Sequence, residues 1–141
     1  MNPELSETLA TLRAQKQATD SATQEMCDIL AAVEQELIDL NLGLCVAVPT
    51  GTHNKTHLVF DMQPGDEAVG KWRLGLRNFE LTNGLIYLNT KDRHQLMVAT
   101  AALPALIAKL EELNRSRMEE TVAVARTGKA MLGTLKAKKG P

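Results

Sequence analysis

Aromatic side chains are scarce in this chain. Phe60, Trp72, Phe79 and Tyr87 are the whole set, 3% of 141 residues. All four lie between residues 60 and 87, so the middle of the chain is where a ring-filled core is expected. Cysteine is scarcer still. Cys27 and Cys45 form no metal or redox spacing, which leaves no disulfide framework and no cysteine-built zinc site. Each is expected to act as a small, free, buried hydrophobe. No stretch approaches the roughly 18 consecutive apolar residues that span a bilayer. The start carries Glu4 and Glu7 in place of a basic region and an apolar run, so no signal peptide is expected there. A cytoplasmic location is the expectation. Charge of one sign is not in excess either: the formal net charge is -1. Together with 44% hydrophobic residues, this excludes a disordered polyelectrolyte.

What the chain has in abundance is helical periodicity. Leu5, Leu9, Leu12, Lys16, Thr19, Thr23, Met26, Leu30, Val33, Leu37 and Leu40 recur with steps of 4, 3, 4, 3. An average step of 3.5 residues is the mark of a helix that packs along a seam against another helix. Asn2 supplies a cap, Pro3 suits the first helical position and Glu4 favours the positive end of the helix dipole. Gly43 is the expected left-handed stop after Asn41 and Leu42. The helix would be about 38 residues and roughly 57 Å long. A helix of that length needs a partner along most of it.

From residue 44 the period changes to 2. Leu44, Val46 and Val48 mark a first strand, ended by Pro49-Thr50-Gly51. Leu58, Phe60 and Met62 mark a second, followed by a turn at Pro64-Gly65-Asp66. Trp72, Leu74 and Leu76 mark a third. The apolar phase then jumps to Phe79 and Leu81, which predicts a bulge near Arg77 or Asn78. Asn83-Gly84 is a two-residue hairpin signal, and a fourth strand follows over 85–89. Short connections favour an antiparallel meander.

Helical spacing returns from Thr90 to about Lys136, with Asn89 or Thr90 as cap and Asp92 in the first turn. Leu96, Leu103, Ile107, Leu110, Met118, Val122, Ala125, Leu132 and Leu135 lie near one stripe, widened by Leu106 and Leu113. Pro104 inside it predicts a kink or a break. The expected fold is therefore α+β in a single domain. An acidic helix over 1–43 and an antiparallel four-stranded sheet over 44–90 precede a long kinked basic helix over 91–136 and a flexible tail over 137–141. The helices are expected to pair as a coiled-coil-like stalk. This helix–strands–helix layout is similar to that of small bacterial nucleoid-associated dimers, with one more strand and no shared motif.

The charges are sorted along the chain. Residues 1–43 hold eight acids and two bases; residues 91–141 hold five acids and ten bases. Antiparallel pairing of the two helices would bring Glu34, Glu36 and Asp39 to Lys91 and Arg93. It would set Asp20, Glu25 and Asp28 level with Arg115 and Arg117. Such pairs select orientation more than they stabilise. Lys16, Thr19 and Thr23 put polar rungs into the seam, as residues that fix register do. The Lys16 stem is expected to lie along the seam while its charged end reaches water or an acid on the facing helix.

No catalytic, cofactor-binding or metal-binding set emerges. His53 and His57 are spaced by four in a turn and a strand and lack further ligands, and His94 stands apart. Glu80 and Asp61 as neighbours on the sheet would be a carboxylate pair without a pocket. The chain contains no glycine-rich phosphate loop, no nucleophile elbow and no His-Glu-x-x-His. The expected function is that of a non-catalytic, oligomeric interaction or adaptor protein, whose partner is another copy of itself or another protein. An apolar sheet face left bare by projecting helices would be covered by that second copy. The alternative is nucleic-acid binding through Lys71, Arg73 and Arg77 on the sheet, joined by Lys55 and His57, together with Arg126, Lys129, Lys136, Lys138 and Lys139 on the last helix and tail.

Overall fold

Asn2 opens the first helix as its spacing requires: the side-chain oxygen accepts from the Glu4 N–H at 3.0 Å, with Pro3 beginning the helix. In the computed structural model, which describes residues 2–51, 56–63, 71–78, 85–87 and 92–139, this helix α1 runs over Pro3–Leu40. Asn41 itself takes the left-handed conformation that ends it (φ 50°), and its N–H returns to the Ile38 carbonyl. Gly43, expected to be the stop, is left-handed as well (φ 69°) but lies beyond the cap.

The strands are β1 (Val46–Pro49), β2 (Thr56–Gln63), β3 (Lys71–Asn78) and β4 (Leu85–Tyr87). β1, β2 and β3 form the body of an antiparallel sheet, and β4 pairs with β3 over three residues at its edge. Thr50 closes the turn after β1: its N–H and its hydroxyl both donate to the Thr56 carbonyl. The β2–β3 ladder keeps one-to-one register from Thr56–Asn78 to Gln63–Lys71, so the bulge expected near Arg77 or Asn78 is not in it. The expected turns at Pro64-Gly65-Asp66 and Asn83-Gly84 lie outside the described residues, as do Phe79, Leu81, Glu80, His53, Lys55, Lys91 and the Asn89–Thr90 cap.

The second helix α2 spans Arg93–Lys138 as one helix with Pro104 inside it, not as a short helix followed by a long one. Its cap is Asp92, whose carboxylate accepts from the Gln95 N–H at 3.2 Å. Asp92 therefore precedes the helix and does not sit within its first turn.

One core joins the layers. Val46, Val48, Leu58, Phe60, Leu74 and Leu76 line one face of the sheet. Against them lie Leu30 and Leu37 of α1 and Leu96, Ala99, Ala102, Leu103, Leu106 and Leu110 of α2. Phe60 and Trp72 stack with ring centroids 5.3 Å apart. The apolar sheet face is thus covered by the chain's own helices. The expectation that it would be left for a second copy is corrected: helical stretches next to the sheet fold over it, and only the far stretches project.

The helices also run in the opposite sense to the one expected. The Arg93 guanidinium donates to the Thr23 hydroxyl at 3.0 Å and reaches the Asp20 carboxylate at 3.4 Å. At the other end, the Arg117 guanidinium lies beside Gly43. The start of α2 is therefore level with residue 20 of α1, and the end of α1 is level with the middle of α2. Ile29 meeting Leu103 and Ile107 in one groove fits the same offset. Side by side, the two helices are parallel. The antiparallel ion pairs give way accordingly: Asp20 pairs with Arg93, and Arg115 with Glu111 of its own helix.

Candidate functional site: the uncovered helical arms

The parallel offset decides what is left exposed. α1 has about five turns before the level of Arg93, and α2 has about six after the level of Gly43. These two arms leave the body in opposite directions. Along the first, every residue from Asn2 to Ala22 is exposed except the half-buried Leu9. Along the second, every described residue from Arg115 onward is exposed.

The seam residues divide at this boundary. Met26 and Val33 are half-buried, and Leu30 and Leu37 are buried in the core. Leu40, at the last turn, is exposed. Leu5 and Leu12 are 52% and 54% exposed. Lys16 bonds Asp20 four residues on in its own helix at 2.6 Å, not an acid on a facing helix. This bond, with Arg93 near by, holds the Asp20 carboxyl below its ordinary range. Thr19 and Thr23 turn their hydroxyls back to the Gln15 and Thr19 carbonyls. Lys16 and Thr19 fall where α1 has no partner within the chain, so a folding seam does not need them apolar. Thr23 falls where α2 begins and accepts from Arg93.

α2 shows the same division. Its buried residues end at Leu110, while Met118, Val122, Val124, Met131, Leu132 and Leu135 are all exposed, Leu132 and Leu135 at 52% and 54%. The bases expected to bind phosphates are split. Arg126, Lys129, Lys136, Lys138 and Lys139 lie on this arm, exposed and with no acid interleaved. Lys71 and Arg73 are exposed on the sheet, but Arg77 is half-buried and reaches Asp61 at 3.4 Å. That bridge spans the row holding Val59 and Gly75. It also places a carboxylate amid the sheet bases.

Two contacts escaped the sequence. Glu34, expected to face Lys91 and Arg93, accepts from the Leu74 N–H at 2.9 Å. A helix carboxylate thereby satisfies a mid-strand donor beyond the reach of short β4. The Cys45 thiol donates to Asp61 at 2.9 Å, and the anionic acceptor raises the thiol's pKa. Both depend on which strand edge faces which helix, and residue spacing carries no such signal. Cys45 is exposed and Cys27 half-buried, so neither is the fully buried hydrophobe expected.

Between the helices, on the side of Ile29 and Ile107, a groove of about 560 Å³ is lined by Ile29, Thr100, Leu103, Pro104, Ile107 and Glu111. The Thr100 hydroxyl beneath it has no hydrogen-bond partner among the described residues. Also among the described residues, no three His, Cys, Asp or Glu side chains gather as metal ligands, and no helix is long and apolar enough to cross a membrane. Comparison with known protein families, curated proteins and solved structures finds no match.

Proposed function

We propose that the protein is a non-catalytic interaction or adaptor protein that works through its two helical arms, each a coiled-coil-like surface awaiting a helical partner. One observation carries the reading. The chain covers one face of its sheet with its own helices, yet leaves Leu5 and Leu12 exposed at the start of the first arm and Met118, Val122, Val124, Met131, Leu132 and Leu135 exposed along the second. Apolar surface that folding does not use is retained for association. The exposed Lys16–Asp20 pair keeps the end of the first arm polar between encounters.

The test is association of the full chain, with itself and with proteins of its source, by light scattering and affinity capture. Replacing Leu9 and Leu12, or Leu132 and Leu135, by Glu is expected to abolish what the wild type binds, with helix content unchanged. Association untouched by both pairs of substitutions would refute the reading.

A second reading is supported by the acid-free run of bases from Arg126 to Lys139. It is nucleic-acid binding through the second arm, without the sheet. Binding to generic duplex would fall steeply with salt and weaken on changing Arg126, Lys129 and Lys136 to Glu. No binding at low salt would remove it.

A further inference from the structure

We propose that copies of this chain join head to tail, the second arm of one copy receiving the first arm of the next, so that they continue between molecules the parallel α1–α2 pairing found within each. This rests on reading the arms as interaction surfaces and adds the occupant, the direction and the register.

The argument begins with length. The incoming α1 cannot start before α1 of the first copy has ended at Leu40, where Asn41 and Gly43 turn the chain away. Gly43 is level with Arg117, so the incoming Pro3 lies level with or just beyond Met118. At the far end, the incoming copy's own α2 begins level with its Asp20. The first copy's α2 must stop near there, and it stops at Lys138. Both limits set the closest approach of the two copies, at which the bare stretch of each arm lies along the other. The two arms are complementary lengths of one helical pair.

Side-chain spacing offers a register close to this closest approach. On α2, the side next to α1 carries Leu96, Leu103, Ile107 and Leu110 and continues at helical spacing to Met118, Thr121, Ala125, Gly128, Leu132 and Leu135. From Thr121 onward its steps are 4, 3, 4, 3, the same as those from Leu5 through Leu9, Leu12 and Lys16 to Thr19. Set level, Leu5, Leu9 and Leu12 fall on Thr121, Ala125 and Gly128, large against small. The polar Lys16 and Thr19 fall on Leu132 and Leu135, where a lysine stem covers a leucine and its ammonium remains in water. A Cβ at Gly128 would meet nothing within 4 Å in the single chain, so nothing in the fold itself fills the space there.

Charge agrees. The register brings Lys136 beside Asp20 of the next copy, with Lys138 and Lys139 approaching Glu25 and Asp28 beyond it. Glu119 and Glu120 stand at the positive start of the incoming α1. Pairing two second arms in parallel would instead oppose two runs of bases. Pairing two first arms antiparallel would set the leucines against Lys16 and Thr19. A heterologous contact of this kind does not close on itself, so the assembly grows as an open string.

The experiment blocks one arm at a time in the full chain. One variant carries Leu9→Glu and Leu12→Glu; the other carries Ala125→Glu and Gly128→Glu. All four positions lie on the arms, outside the sheet core, and circular dichroism serves to check that the helices remain. Wild type is expected to increase in mass with concentration beyond two copies. Each variant alone is expected to be a single copy, with association weakened at least about tenfold. An equimolar mixture of the two is expected to form a complex that stops at two copies, one of each kind, because only one intact pair of arms remains. A wild type that stops at a closed dimer, or a mixture that fails to associate, would overturn the proposal. A single-copy wild type that binds another protein through the same leucines would also overturn it, and would leave the adaptor reading standing.

Discussion

Leu30 and Leu5 occupy the same row of the same helix and meet opposite fates. Leu30 is 4% exposed against the sheet, while Leu5 is 52% exposed on the first arm. The same holds for Leu106 and Leu135 on α2, at 0% and 54%. In each helix the half beside the sheet is a fold element and the other half is surface. Periodicity that reads as one seam serves two purposes, and the boundary is set by where the other helix begins or ends.

That contrast is open to direct attack, and the core comes first. Leu106→Ala removes a fully buried side chain between helix and sheet and is expected to cost about 3–4 kcal/mol of stability in urea unfolding. Leu135→Ala on the arm is expected to shift stability of the single chain by less than about 0.5 kcal/mol. Equal losses at the two positions would erase the distinction between body and arm.

The next effect concerns the sheet edge. Glu34→Ala deprives the Leu74 N–H of its acceptor and is expected to destabilise by about 1–3 kcal/mol. Glu34→Gln keeps an acceptor oxygen and should recover much of that loss. Hydrogen exchange at Leu74 measures the same contact locally: fast exchange in the Ala variant, slow in the Gln variant.

A smaller effect is chemical. Because Asp61 holds the Cys45 proton, alkylation at neutral pH should be slower than that of an unhindered model thiol, despite the exposure of Cys45. Asp61→Asn should speed it and shift its pH profile downward. A wild-type rate already at the model value would discount the hydrogen bond.

The smallest effect lies where the first arm meets the body. The folded Asp20 carboxyl titrates below its unfolded value, so its contribution is fully present above that unfolded value, near pH 4. The contribution is lost as pH falls through the folded value. Lys16→Ala removes the leading cause and should move the Asp20 midpoint upward in an NMR titration, while the core signals stay in place.

Much of the fold was legible because it is local. The Asn2 cap, the extent of α1, the alternation that makes β1, β2 and β3, and the return of helical spacing each depend on neighbours within a few residues. Pro104 was less informative. Its missing N–H costs one helical bond, and packing of Leu96, Leu103, Leu106 and Leu110 holds the helix through it. The exposed site was half legible: the ladder showed a seam but not which part of it folding consumes. Leu5, Leu9 and Leu12 look no different in sequence from Leu30, Val33 and Leu37.

Charge sorting misled for the same reason. An acidic helix and a basic helix attract in either orientation, and screened surface pairs are too weak to choose one. The choice falls to the shared core, which sets Arg93 beside Asp20 and Thr23 and so makes the pair parallel.

By itself, the sequence determined the two long helices, the antiparallel strands between them and the row of side chains each helix offers. Those properties follow from periodicity, caps and turn residues that act over a few positions. Only the tertiary structure decided that the helices run in the same direction, that they are offset by half their length, and that their far halves are left bare. The offset comes from burying one face of the sheet under the nearest helical turns, a long-range packing requirement that residue spacing does not encode.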